Sequence, residues 1–248
     1  MLQNNTFDGG ILLVDKPEGI TSQTAVNAVR KAFGTRQAGH TGTLDPMATG
    51  LLCVLVGRAV KASEYAVCDR KAYDAVLRLG MTTDTQDITG TVLSVSETIP
   101  AFPEAEKVCA SFVGEILQTP PMYSALKING QKLYDIARRG GTVERKPRNI
   151  TICELELVEK LNETDYALRV VCSKGTYIRT LCHDVGAALG CGAAMAALRR
   201  TAAAGFSIAE AVTLETVQEK KDALLLSLDT YFRDYPAFTL ADAEAERR

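Results

Sequence analysis

Apolar and polar positions fall into blocks along this chain, and each block predicts an element. Gly10-Ile11-Leu12-Leu13-Val14-Asp15 is a short continuous apolar run, read as a buried strand, and Lys16-Pro17-Glu18-Gly19 closes it as a turn. Thr21 or Ser22 can cap a helix on which Val26, Val29 and Phe33 recur at helical spacing, with Gly34 at its stop. Leu51-Leu52-Cys53-Val54-Leu55-Val56 repeats the buried-strand pattern. Residues 71–80 alternate instead, with Tyr73, Ala75, Leu77 and Leu79 on one face, so Tyr73 points inward and reads, alone, as a core aromatic. Residues 82–90 are polar and turn-rich and predict a surface connection. Pro103 opens a short helix with Ala105, Val108, Cys109 and Phe112 on one face, ended by Gly114. Ile150–Val158 and Tyr166–Ser173 are β-rich runs joined by a turn at 161–165, a hairpin. Lys174-Gly175-Thr176-Tyr177 then leads into a helix with Ile178, Leu181, Cys182, Val185 and Leu189 on one face, and Arg179 stands about 100° round from Ile178 in its first turn. Alanine-rich 193–198 ends in Leu198-Arg199-Arg200, and 213–228 predicts a final amphipathic helix.

Two stretches carry more than a fold signal. Gly39–Gly50 holds three glycines, one of the chain's two histidines and an Asp45-Pro46 step just before the apolar run. Glycine permits close approach and proline restricts the residue before it, so a rigid loop presents one carboxylate at a sheet edge. Asp45 is there either a turn-former or a reagent. Thr119–Gly141 starts with two prolines, ends with two glycines, and mixes Lys127, Lys132, Arg138 and Arg139 with Tyr123 and Tyr134. That is the make-up of a projecting lobe that contacts phosphates and stacks on bases, or of a solvated hairpin and helix.

Composition narrows the field. At 46% hydrophobic and 23% charged the chain is an ordinary globular one, and no apolar run reaches the roughly 18–20 residues that span a bilayer. Met1–Thr6 lacks the charged and apolar regions of a signal peptide, so a cytoplasmic location is expected. Seven cysteines without a C-x-x-C, and two histidines, leave little for a zinc site; the cysteines read as small buried hydrophobes in a reducing compartment. No metal is expected. Net charge is −2, but residues 119–150 carry seven basic side chains against two acidic, and residues 74–118 carry two against seven. One polyanion-binding face fits that split. The glycine-rich loop is no phosphate loop, since it lacks G-K-[ST] and precedes a strand; a serine hydrolase fails for want of G-x-S-x-G. By themselves the residues support an RNA-binding α/β protein, and they leave room for an enzyme with a carboxylate nucleophile.

Four blocks, Gly10–Ser22, Gly39–Gly50 with its following strand, Thr119–Gly140 and Ser173–Arg179, resemble the motifs of the TruB family of tRNA pseudouridine synthases, in the family's order, over about residues 10–200. The resemblance implies an α+β fold: a pseudouridine synthase core with a central mixed, largely antiparallel sheet flanked by helices and loops. It implies a catalytic domain over 1–235, with a basic thumb at about 119–150. The tail 236–248 falls where many members continue into a small RNA-binding (PUA) domain. Implied activity is isomerisation of the uridine at position 55 in the tRNA T arm, without cofactor or metal, by a protein expected to act as a monomer away from membranes. By similarity, Asp45 is the nucleophile, toward base or sugar, and Arg179 its ion-pair partner. Tyr73 packs on the uracil and is a candidate proton relay. Tyr177 and Leu198 line the base pocket, and His40 fills the gap left by the flipped nucleotide. Lys127, Lys132, Arg138, Arg139 and Arg145 contact RNA from the thumb, whereas Lys16 reads as structural or phosphate-facing. The rival readings are a non-catalytic tRNA-folding chaperone, a guide-RNA-dependent relative acting on other RNA, and a hydrolase that uses Asp45 and frees uracil.

Overall fold

The first half of the chain, in the computed structural model, runs β1 (Gly9–Lys16), α1 (Ser22–Phe33), β2 (Ala38–His40), β3 (Thr49–Gly57), β4 (Arg70–Leu79), β5 (Met81–Thr83), β6 (Val92–Val95), α2 (Phe102–Ser111) and β7 (Gly114–Gln118). Next come β8 (Lys127–Ile128), β9 (Gln131–Lys132), α3 (Leu133–Ala137), β10 (Arg148–Lys160), β11 (Asp165–Ser173), α4 (Ile178–Ala188), β12 (Ala193–Ala203), β13 (Phe206–Ser207), α5 (Leu214–Lys220) and α6 (Leu228–Tyr231). The structure describes residues 9–63, 65, 70–128, 130–233 and 236, so Met1–Thr6, Cys68 and the tail from 237 lie outside the described residues.

Among the described residues, nine strands form the central sheet, in the order β1-β3-β12-β4-β11-β10-β7, with β2 on β3 and β13 on β12. Its strands pair antiparallel except β3 with β12, which meet in parallel at Thr49–Arg199 and Gly50–Arg200. The continuous apolar run of β3 is explained by cover on both faces. Leu52, Val54 and Val56 pack under α1, while Leu51, Cys53 and Leu55 meet Phe206, Leu226 and Leu228. The alternating run of β4 has one apolar face, and Tyr73, Ala75, Leu77 and Leu79 sink into a core shared with α2 and α4. Thr21 caps α1 by accepting from Thr24 N, and Gly34 ends it at a φ of 62°.

Two expectations change. Residues 82–90 do lead from β5 toward β6, with Asp84, Ile88 and Thr89 exposed, but they are not wholly at the surface: Thr83 and Asp87 are buried, and Ile88 N donates to Met195 O. The helix expected over 213–228 breaks after Lys220, because Leu226 pairs through its backbone with Ile11, at 2.8 and 2.9 Å, and a helix through that residue would forfeit both bonds. Residues 193–203, without a strand-like composition, form β12 at the centre of the sheet.

Candidate active site

β3 changes partners along one edge. β1 occupies the other edge throughout, while β2 pairs at Val54–Val56 and β12 at Thr49–Gly50. The loop 41–48 lies in the gap so created, and its main chain is pinned along its length. Arg200, a guanidinium only 2% exposed, donates from Nε to Leu51 O at 2.7 Å and from its Nη atoms to Gly42 O and Thr43 O at 3.1 and 3.4 Å. Ser22 Oγ donates to Leu44 O at 2.9 Å and accepts from Leu44 N at 2.8 Å. Pro46 O accepts from Gly19 N at 2.8 Å and from Lys16 Nζ at 3.4 Å. Gly50, at a φ of 101°, lies against the Arg200 backbone where no Cβ fits.

Lys16 is fully buried and also donates to Pro17 O and Ile20 O, so its three N–H donors meet three carbonyls. It is structural; the phosphate-facing reading falls with its burial. Desolvation pulls its pKa from 10.5 down to about 8.

Asp45 is held in this frame with its side chain 35% exposed, while the Arg179 side chain opposite is 5% exposed. Arg179 Nε lies 2.8 Å from Asp45 Oδ2, and Nη2 lies 3.4 Å from Oδ1. The Nε–H is not aimed at the carboxylate, since no acceptor satisfies its hydrogen-bond geometry. The pair therefore combines a close charge contact at Nε with one long hydrogen bond, which Nη2 donates to Asp45 Oδ1. The rest of the guanidinium is anchored firmly: Nη1 donates to Thr85 O at 3.0 Å and Nη2 to Tyr123 O at 2.8 Å. Asp87 Oδ2 stands 3.8 Å from Nε, while Asp87 Oδ1 accepts from the Thr85 and Thr89 hydroxyls and Thr89 N. A sealed cation thus faces a carboxylate that solvent partly reaches.

Asp45, Arg179, Tyr73, Tyr177 and Leu198 all line one cavity of about 200 Å³, with Lys71 and Ser124 at its walls. Tyr73 stands opposite Arg200 in the β4–β12 register, and Leu198 opposite Ala75. Burial is the first cause raising the Tyr177 phenol above its ordinary 10.0. A larger cavity of about 430 Å³ nearby, walled by Glu18, Asp74, Arg169 and Arg199, lacks the paired groups, so size does not mark the site. His40 is not among the cavity's walls. It sits half-buried on β2, where burial first and the Arg200 charge second hold its imidazole below 6.5.

In the 119–150 segment the hairpin β8–β9 sets Lys127 directly opposite Lys132, both exposed. Like charges so placed repel and suit an anionic partner. Lys132 and Arg138 each lie 5.4 Å from the Tyr134 ring. Arg138 and Arg139 are exposed, but Arg145 is partly buried and donates to Pro120 O at 3.1 Å. Sequence reasoning missed Asp87, Arg200, Ser22 and the carbonyls of Thr85 and Tyr123. Of these only the Arg199-Arg200 pair ending an apolar stretch carried any signal.

Residues 30–178 match the family model described as TruB family pseudouridylate synthase (N terminal domain), and residues 179–233 match tRNA pseudouridylate synthase B C-terminal domain. A Syntrophotalea carbinolica protein named tRNA pseudouridine synthase B is 46% identical over 245 residues, 96% of this chain and 79% of that protein. One of the same name from an Azoarcus species is 48% identical over 240 residues, 95% and 80% respectively. Among solved structures, a chain from a Cbf5-Nop10-Gar1 complex superposes with a TM-score of 0.69 at 29% identity, covering 92% of this chain. A chain from an H/ACA RNP bound to a substrate RNA containing 2′-deoxyuridine gives 0.65 at 25% and covers 94%. This chain spans 59% and 57% of the lengths of those two chains.

Proposed function

The chain belongs to the TruB family of pseudouridylate synthases, and from that premise we propose that it converts the uridine at position 55 of the tRNA T arm to pseudouridine. The chemistry is an isomerisation. The N1–C1′ bond breaks, the base turns over and C5 bonds to C1′; C5 loses a proton and N1 gains one. No electrons are exchanged, so the reaction asks for no redox partner. The target base is inside a folded loop and must be flipped out, at a cost of a few kcal/mol.

The observation that carries the reading is the partly exposed Asp45 carboxylate against the sealed Arg179. In this reading Asp45 attacks the flipped nucleotide, at C1′ or on the base, and the off-line Nε contact leaves it free to move toward carbon. Arg179 holds it ionised and aimed. Tyr73, Tyr177 and Leu198 enclose the uracil, with Tyr73 also a candidate to accept the departing C5 proton. His40 enters the gap in the T loop as a neutral ring able to stack. Lys127, Lys132, Arg138 and Arg139 meet phosphates, while Arg145 braces the lobe at Pro120. The protein acts as a monomer in the cytoplasm, within a catalytic unit over residues 1–235; no helix of the described residues is long and apolar enough to cross a membrane.

Asp45→Asn is the test. Mass mapping of a T-arm stem-loop incubated with this variant should find no pseudouridine, while its RNA affinity stays within about threefold of the parent's. Conversion by the variant would remove Asp45 from the chemistry. The structural likeness to H/ACA RNP chains supports a second reading, dependence on a guide RNA. Conversion of the bare stem-loop by the parent protein alone would exclude it, and release of free uracil would instead indicate a hydrolase.

A further inference from the structure

Beyond the groups that face the cavity, one buried amide joins the basic lobe to the residues at its mouth. Gln118, the last residue of β7, is 2% exposed and does not line the cavity. Its Oε1 accepts from Tyr177 N at 2.8 Å, and its Nε2 donates to Tyr177 O at 3.1 Å. The side chain thus pairs with both peptide groups flanking one residue, as a neighbouring strand would.

That residue is where the pocket is assembled. Tyr177 is the cap of α4, with a φ of −102° and a ψ of 110°, and no side chain caps the helix there. Within three positions the chain turns from extended to helical and delivers first Tyr177, then Arg179, to the cavity. Gln118 fixes the start of that turn. Further along, the same strap supplies a second tie, because Pro120 and Pro121 are buried, rigid in φ, and place Tyr123 O on Arg179 Nη2 at 2.8 Å. The strap 118–124 therefore holds the cap and the guanidinium by one short, stiff piece of chain, and the lobe with Lys127 and Lys132 grows directly from its end.

We propose that Gln118 is a positioning residue for the isomerisation: its amide sets Tyr177 and Arg179 against the root of the lobe, so that RNA held by the lobe meets a correctly placed pocket. The proposal rests on the function proposed above. The role needs one accepting and one donating atom at this reach, which an amide supplies at every pH and a carboxyl only when protonated. Asparagine is too short to span the gap, and an ionised carboxylate repels Tyr177 O.

The experiment uses tRNA transcript carrying tritium at uridine C5, which is released as the new bond forms, under single-turnover conditions with saturating enzyme. Gln118→Met preserves volume and removes both bonds. A displaced pocket predicts a single-turnover rate roughly 10- to 100-fold below the parent's, with tRNA Kd within threefold. Gln118→Glu keeps the acceptor and loses the donor until its carboxyl is protonated, which burial favours. Its rate relative to the parent's should therefore rise as pH falls from 8 to 5.5. That rise answers the question even if Gln118→Met does not fold. A saturating rate within twofold of the parent's, a loss confined to Kd, or a ratio flat in pH each overturns the proposal. Absence of release by the parent protein overturns the function itself, and this inference with it.

Discussion

Arg179 spends its donors on main chain: the carbonyls of Thr85 and Tyr123 take two of its bonds, and Asp45 and Asp87 share its charge. The family resemblance pointed to Asp45 and Arg179 as a pair, but a carbonyl is supplied by any residue and leaves no trace in a sequence. Asp87 escaped for a related reason. Its Thr-x-Asp-x-Thr surroundings spell a self-contained turn, and one carboxylate oxygen does make that turn, while the other faces a buried cation. Lys16 shows the cost of pinning such a loop from beneath. With a native pKa of about 8 against 10.5 when free, it is charged in neutral solution, and its clamp on Pro17, Ile20 and Pro46 is complete there. Raising the pH through 8 removes that charge and one donor, so isomerisation rate should decline between pH 7.5 and 9.5. In Lys16→Met the same profile should be lower and flatter over that range. Stability runs the opposite way: between 8 and 10.5 the unfolded chain binds more protons than the folded one, so this position favours folding increasingly as pH rises. Urea unfolding of both proteins across that range separates the two effects.

Elements with a clear period were readable: α1 from its cap and stop, β3 from its unbroken run, β4 and β11 from alternation. β12 was not, because Ala193–Ala197 has neither β-branched nor aromatic residues, and its strand state comes from being enclosed by β4 and β3. Small side chains suit a strand on which α4 packs closely: Gly186 of that helix abuts Ala193 with no room for a Cβ. The β4–β11 join has a polar lock that alternation does not reveal. Arg78 donates to both oxygens of Asp165, at 2.7 Å each, directly across the register. Arg78 is the largest cause holding the Asp165 carboxyl below 3.8. A depressed carboxyl stabilises the fold above its unfolded pKa and loses that contribution as pH falls through the native one. Asp165→Asn should cost about 1–2 kcal/mol at pH 7 by urea unfolding, less than a fully buried pair because Arg78 is partly exposed. Parent and variant should converge as pH falls through the lowered native pKa of Asp165.

Across the whole molecule the charge is divided, and the lobe carries the excess of cations. Arg138→Ala with Arg139→Ala should weaken tRNA binding and lower the salt dependence of log Kd by nearly one unit for each phosphate no longer neutralised. Arg145→Ala should leave that slope unchanged, since its guanidinium is engaged with Pro120 O. Filter binding at several salt concentrations distinguishes them; an unchanged slope for the double variant would mean the lobe faces solvent. The order in which these parts come into being also follows from the fold. Arg200 closes the Asp45 loop from a position 149 residues beyond Leu51, and β12 is the strand that joins the two halves of the sheet. Contacts so far apart in sequence form late and slowly. A chain still emerging from the ribosome lacks this keystone until residue 200 is free of the exit tunnel. Asp45 is made early, yet its loop has no settled frame until Arg200 has followed it out.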